Sequence, residues 1–172
     1  NLENQVTFIL QDYREMKGSF SHIISIEMIE AVGKHFLTRY FSKINNLLVP
    51  NGKAFIQAIT MNNEYYPKYE KNTDWIQKHI FPGGHLPSPD LIKELVAKHT
   101  TLKIESMSDI GYHYASTLRE WHDRFLDNKD KILALGFDQE FIQKWRYYFA
   151  SCEAGFKTNF LHDFQFIFKK EV

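Results

Sequence analysis

The chain has 172 residues, the size of a single domain, and its 44% hydrophobic and 24% charged content is that of a soluble globular protein. Lys+Arg and Asp+Glu both number 21, so the net charge is zero and the basic excess of a nucleic-acid binder is missing. A single cysteine excludes an intramolecular disulfide framework and a Cys-rich zinc site; with no long apolar run and no signal peptide, a soluble, cytoplasmic chain is expected.

Val6-Thr7-Phe8-Ile9-Leu10 is β-branched and aromatic, the composition of a first strand. Gly18 marks a turn, and His22-Ile23-Ile24-Ser25-Ile26 predicts a second strand. Residues 27–33 form the strand-to-helix turn. Apolar residues at 36, 37, 40, 41, 44, 47 and 48 follow a helical spacing, and Pro50-Asn51-Gly52 is expected to end that segment as a turn. A third strand is predicted over 54–59. Strand, strand, helix, strand is the order of an α/β sheet with parallel crossovers.

Residues 61–87 interrupt this rhythm with Tyr65, Tyr66, Tyr69, Trp75 and Phe81 before Pro82-Gly83-Gly84, an irregular and partly helical aromatic insertion. Ser88 with Pro89 behind it predicts a capped helix to about Lys98. Residues 102–107 alternate as a strand. Thr117-Leu118-Arg119-Glu120 has the form of a capping box and predicts a helix start, with a stop at Gly136. Asp138 caps a last helix carrying Phe141, Trp145, Tyr148, Phe149, Cys152 and Phe156 at steps of three or four, and residues 164–168 close the chain as a strand.

Glu27 and Glu30 lie just past the carboxyl end of the second strand, where open α/β sheets bind ligands; acidic residues at a helix start also complement the helix dipole, so both readings stand. Gln57 ends a strand in the same crevice and offers a donor and an acceptor. Gly111-Tyr112-His113-Tyr114 places phenols between a strand and a helix, for packing or for a ligand. Cys152 falls on the apolar face of the last helix without a visible partner, the pattern of a buried small hydrophobe and not of a nucleophile. The eight histidines form no close ligand pair, so no metal is expected, and there is no Gly-rich nucleotide loop.

Taken in order, DYREMKGSFSHIISIEMIEAVG, FIQAIT, IFPGGHLPS, GYHYASTLREW and WRYYFASCEAGF resemble the cyclopropane-fatty-acyl-phospholipid synthases and mycolic acid cyclopropane synthases, from about Val6 to Phe168. The resemblance implies a class I methyltransferase fold, Rossmann-like α/β, with an aromatic acyl-binding insertion. It implies transfer of a methylene group from S-adenosylmethionine to a double bond in an unsaturated acyl chain of membrane phospholipid, with bound bicarbonate as the base. It implies peripheral contact with the inner membrane face. Glu30 and Tyr114 match residues of the bicarbonate site, Ile59 a position whose backbone contacts that ion, and Cys152 a cysteine near the active site. Gln57 falls where many members carry His. Gln cannot titrate near neutrality, which leaves room for a methyl-branched or methylene product in place of a ring.

The family's glycine-rich cofactor loop would lie upstream of the first block. The chain, which opens on Asn, is therefore expected to be the carboxy-terminal part of a longer methyltransferase domain, with substrate-pocket insertions at 61–87 and 108–160, and to bind S-adenosylmethionine poorly by itself. In the family's strand order, 3-2-1-4-5-7-6, it would supply strands 3 to 7, leaving an apolar edge on strand 4 that invites pairing into a homodimer. A non-catalytic acyl-binding module and a methyltransferase for a small soluble acceptor are the rival readings.

Overall fold

The computed structural model describes residues 2–172. Four strands form one mixed sheet: β1 (Phe20–Ile26), β2 (Leu48–Met61), β3 (Leu102–Asp109) and β4 (Leu161–Lys170), in the order β1-β2-β4-β3. β1 and β2 are parallel, joined through α1 (Leu37–Leu47), while β4 runs antiparallel to both β2 and β3. This is the predicted 4-5-7-6 part of the methyltransferase order, with β1 as an edge.

Period-two alternation sorts the strands into two faces. Ala54, Ile56, Ala58, Phe166 and Phe168 are buried on one face. They pack with Leu37, Tyr40, Phe41 and Ile44 of α1 and with Ile92 and Val96 of α4 (Pro89–His99). α1 is helical because those four apolar residues recur at steps of three and four, and Tyr40 meets its buried hydroxyl's need by donating to Ser25 Oγ at 2.7 Å. α4 is capped as expected: Ser88 Oγ accepts from the Leu91 N–H.

The opposite face carries Gln57, Ile59, Asp163 and Gln165 against α5 (Gly111–Asp127) and α7 (Gln139–Lys157). Gly111 is required where α5 leaves the sheet, since a Cβ there would stand 2.9 Å from Asp163 N and 3.0 Å from Asp109 Oδ1. α6 (Lys129–Ala134) links the two long helices, and Gly136, at φ +95°, stops it. The aromatic insertion holds two short helices, α2 (Tyr66–Tyr69) and α3 (Trp75–His79). Trp75 meets Tyr147 and Phe81 meets Tyr148, which seats the insertion on α7.

Three expectations fail. Val6–Leu10 forms no strand: Phe8 and Leu10 are almost fully exposed. A strand needs a hydrogen-bonded neighbour, and the neighbour expected for this segment is not among the four strands. Pro50-Asn51-Gly52 does not separate two elements; it is a bulge inside β2, where the register slips between the Phe20 and His22 pairings and Asn51 takes φ +63°. The helix assigned to Thr117 begins six residues earlier, at Gly111, and Thr117 Oγ1 donates instead to the His113 carbonyl within it. On the edge strand, Ile24 and Ile26 are more than half exposed above a cavity of about 460 Å³ lined with Ile9, Tyr13 and Ile23, so the expected apolar edge is present.

Candidate active site

The carboxyl ends of β1 and β2 and the facing residues of β4 meet beneath the start of α5. The chain leaves β1 through Glu27, whose φ is +50°, a left-handed conformation rarely taken by a residue other than Gly or Asn. Its N–H donates to the Gln57 carbonyl at 2.9 Å, which pins the turn to β2. A 3₁₀ turn at Ile29–Ala31 follows, with Ile29 anchored in the core. This brings Glu27 and Glu30 to the same side.

Each carboxylate finds a different donor. Glu30 Oε1 accepts from the Ile59 N–H at 2.6 Å, while its Oε2 is buried without a partner. Glu27 Oε1 accepts from Gln57 Nε2 at 2.8 Å and from the Tyr114 hydroxyl. The second hydrogen of Gln57 Nε2 goes to Asp163 Oδ2 at 3.0 Å, and its Oε1 accepts from Gln165 Nε2 at 3.0 Å. The amide of Gln57 is thereby held on all sides, and its orientation is dictated by its partners. Asp163 is fully buried, with Oδ1 unpartnered.

Burial dominates the electrostatics. Desolvation, with the neighbouring Glu27 charge adding to it, pushes Glu30 up to about 7. Asp163 is likewise raised to about 7, by burial first and then by the charges of Glu27, Glu30 and Asp109. Tyr114 is pushed well above the ordinary tyrosine value by burial and by Glu27, so it stays a proton donor to that carboxylate. Phe156 stacks on the Tyr114 ring at 5.2 Å between centroids.

The insertion covers the acidic turn. The His85 N–H donates to the Glu30 carbonyl at 2.9 Å, and Gly83-Gly84 lies against residues 30–33. His85 is held between tyrosines, with Tyr66 Oη at 3.0 Å from Nε2, and burial depresses it to about 4.

Of the residues singled out in sequence, Glu30, Ile59, Gln57 and Tyr114 come together. Cys152 does not join their hydrogen bonds: it lies in the aromatic core of α7 beside Tyr148, and burial lifts its thiol to about 12, which suits packing and not nucleophilic work. Two further participants join them. Glu27 stands out in the sequence only together with Glu30, as a ligand-site or helix-dipole pair. Asp163 was missed, although polar Asp163 and Gln165 at alternate positions between the phenylalanines of a Phe-rich strand are its signal.

Three carboxylates with no lysine, arginine or histidine bonded to them suit a cationic ligand. S-Adenosylmethionine, a sulfonium carrying an ammonium group, is of that kind. Bicarbonate is not: the Ile59 N–H, the Gln57 amide and the Tyr114 hydroxyl, the donors expected to hold it beside Glu30, already donate to protein carboxylates.

The description "mycolic acid cyclopropane synthetase" belongs to a family whose model matches residues 1–166. The chain belongs to this family. Tuberculostearic acid methyltransferase of Mycobacterium tuberculosis is 40% identical over 98% of the chain, and the cyclopropane-fatty-acyl-phospholipid synthase of Escherichia coli is 32% identical over 97%. The chain spans only 39% and 42% of the lengths of these curated relatives. Among solved structures, a mycolic acid cyclopropane synthase complexed with SAH and CTAB superposes with a TM-score of 0.84 at 24% identity, covering 94% of this chain and 59% of that one. The cyclopropane synthase MmaA2 of Mycobacterium tuberculosis gives 0.83 at 22%, with the same coverages, so the fold is that of these methyltransferases. Among the described residues, no helix of this family member is long and apolar enough to cross a membrane.

Proposed function

We propose that the chain is part of an enzyme that transfers a methyl group from S-adenosylmethionine to the double bond of an unsaturated fatty acyl chain in phospholipid, giving a methylene-branched product. The observation that carries this reading is the 40% identity to a tuberculostearic acid methyltransferase over 98% of the chain. When bound, S-adenosylmethionine supplies an electrophilic methyl on a sulfonium.

The residues present do the rest. Glu27, Glu30 and Asp163 favour a cation at the carboxyl ends of the strands. The insertion at 61–87 and the helices of 108–160 supply an aromatic cluster, including Phe149, Phe156 and Trp145, of the kind that suits an acyl chain and the positive charge that develops on it. Excluding water there protects that charge from capture. Ring closure to a cyclopropane is the second reading, favoured by the 32% identity to the Escherichia coli synthase.

The test is to express the full-length protein in a host without this activity and to analyse its fatty acids by mass spectrometry. Acyl chains heavier by one CH2 are expected. Mild hydrogenation turns a methylene branch into a methyl branch and leaves a cyclopropane intact, which separates the two readings. No new acyl species would refute both, and methylation of a soluble acceptor alone would favour the small-molecule alternative.

A further inference from the structure

Resting on the proposed reaction, we infer that the base which removes the proton from the transferred methyl group is the carboxylate of Glu27, built into the chain in place of a bound bicarbonate. The first observation is competition for donors. Tyr114 and Gln57 both donate to Glu27 Oε1, and the Ile59 N–H donates to Glu30 Oε1 at 2.6 Å. Every donor expected to hold a small oxyanion is bonded to a glutamate instead. A further anion would have to displace a covalently tethered one and would sit among three acids with no bonded cation.

The second observation is access. Asp163 is fully buried and Glu30 Oε2 is buried, whereas Glu27 is half-buried, and its Oε2 receives no hydrogen bond from the described residues. Of the three acids, Glu27 alone presents a free oxygen to an incoming group. The third is its backbone. A left-handed glutamate is retained here where glycine would be easier, while its N–H is clamped to Gln57 and its carboxylate is aimed by two donors, one of them locked in turn by Asp163 and Gln165. Such fixing of a reactive group is what positioning requires.

The step balances without an oxidant or reductant. The alkene π pair forms the new C–C bond as the C–S bond breaks, and S-adenosylhomocysteine leaves as a neutral thioether. The acyl chain is left with a carbocation. A hydride shift within the chain moves the positive charge to the carbon bearing the new methyl. Glu27 then takes a proton from that methyl, and the C–H pair becomes the C=C bond of the methylene group. Without the shift, the same pair closes a ring. Glu27, now a carboxylic acid, returns its proton to water when the site opens.

The experiment uses the full-length protein with S-adenosylmethionine and vesicles of unsaturated phospholipid, in buffer stripped of carbon dioxide and in the same buffer with added bicarbonate. The wild type is expected to keep its rate within about twofold in both. Glu27→Gln, which preserves shape and both accepted hydrogen bonds, is expected to lose about 100-fold or more in kcat, with the melting temperature little changed and any rise in KM for S-adenosylmethionine small beside the loss in kcat. Glu27→Gly, which suits the left-handed backbone, is expected to regain about tenfold when formate is added. A wild type that is active only with bicarbonate, or a Glu27→Gln that keeps its kcat, overturns the inference alone. Inactive Glu27→Gln and Glu27→Gly proteins that formate does not rescue assign Glu27 a structural role and overturn it too. A wild type that alkylates no acyl chain in either buffer overturns the parent reading and this inference with it.

Discussion

The two faces of the sheet are made by the same strands and have opposite characters. Towards α1 and α4, β2 and β4 present Ala54, Ile56, Ala58, Phe166 and Phe168, all buried and apolar. Towards α5 and α7 the intervening residues are Gln57, Ile59, Asp163 and Gln165, and polar groups there are tied to one another and to Glu27, Glu30 and Tyr114. One face holds the molecule together by excluding water from apolar surface. The other keeps charged groups under the aromatic roof, where desolvation holds two of them near the point of protonation. Apolar packing and a buried polar network are thus divided between alternate residues of single strands.

The sharpest way to break this division is to remove a side chain from the dry face. Phe166→Ala is expected to cost about 3–5 kcal/mol in denaturant unfolding, because the ring is fully buried against other rings. A loss below about 1 kcal/mol would mean that this face is not the stabilising one. At the junction of the second face, Gly111→Ala is expected to cost about 1–3 kcal/mol, since the new methyl would meet the backbone of β4 and Phe156. Calorimetric unfolding measures it, and an unchanged melting temperature would show that α5 shifts freely over the sheet.

A subtler test uses pH. Asp163 is raised from 3.8 to about 7 in the folded chain, so between these values the native state holds a proton that the unfolded state has lost. Its contribution to stability is therefore greatest at low pH, declines as pH rises from about 4 to about 7, and is flat above. Asp163→Asn removes that decline while its amide oxygen still accepts from Gln57. The variant is expected to gain on the wild type by on the order of 1–2 kcal/mol between pH 5 and pH 8. A constant difference across that range would place the titration elsewhere. Comparing the two proteins is necessary because His85, depressed from 6.5 to about 4, acts in the opposite sense: its stabilising contribution is lost as pH falls through the same window. The smallest effect is expected on the dry side, where Ser88→Ala should cost about 1 kcal/mol through the lost cap of α4, read as a modest fall in denaturation midpoint.

Much of the framework was legible in the order of residues. Ser88 and Asp138 announced the helix starts they cap, and Gly136 announced its stop, because caps act within one turn of chain. The failures were relations between distant segments. Val6–Leu10 has a strand's composition but no partner strand. Thr117 has a cap's sequence inside a helix whose start is decided by the close approach of Gly111 to β4. The candidate site divides in the same way. Glu30, Gln57, Ile59 and Tyr114 could be named from motifs, whereas Asp163, 106 residues from its partner Gln57, enters only because β2 and β4 pair in register.

The sequence alone therefore determined the α/β alternation, the helix caps, the aromatic insertion and the family resemblance, all of which depend on local spacing and residue type. Tertiary structure decided which carboxylate faces which donor. Three acids from two strand ends share one desolvated pocket, and Tyr114, Gln57 and Ile59 spend their hydrogens on Glu27, Glu30 and Asp163. That choice rests on a sheet register and on burial, quantities no single stretch of chain contains.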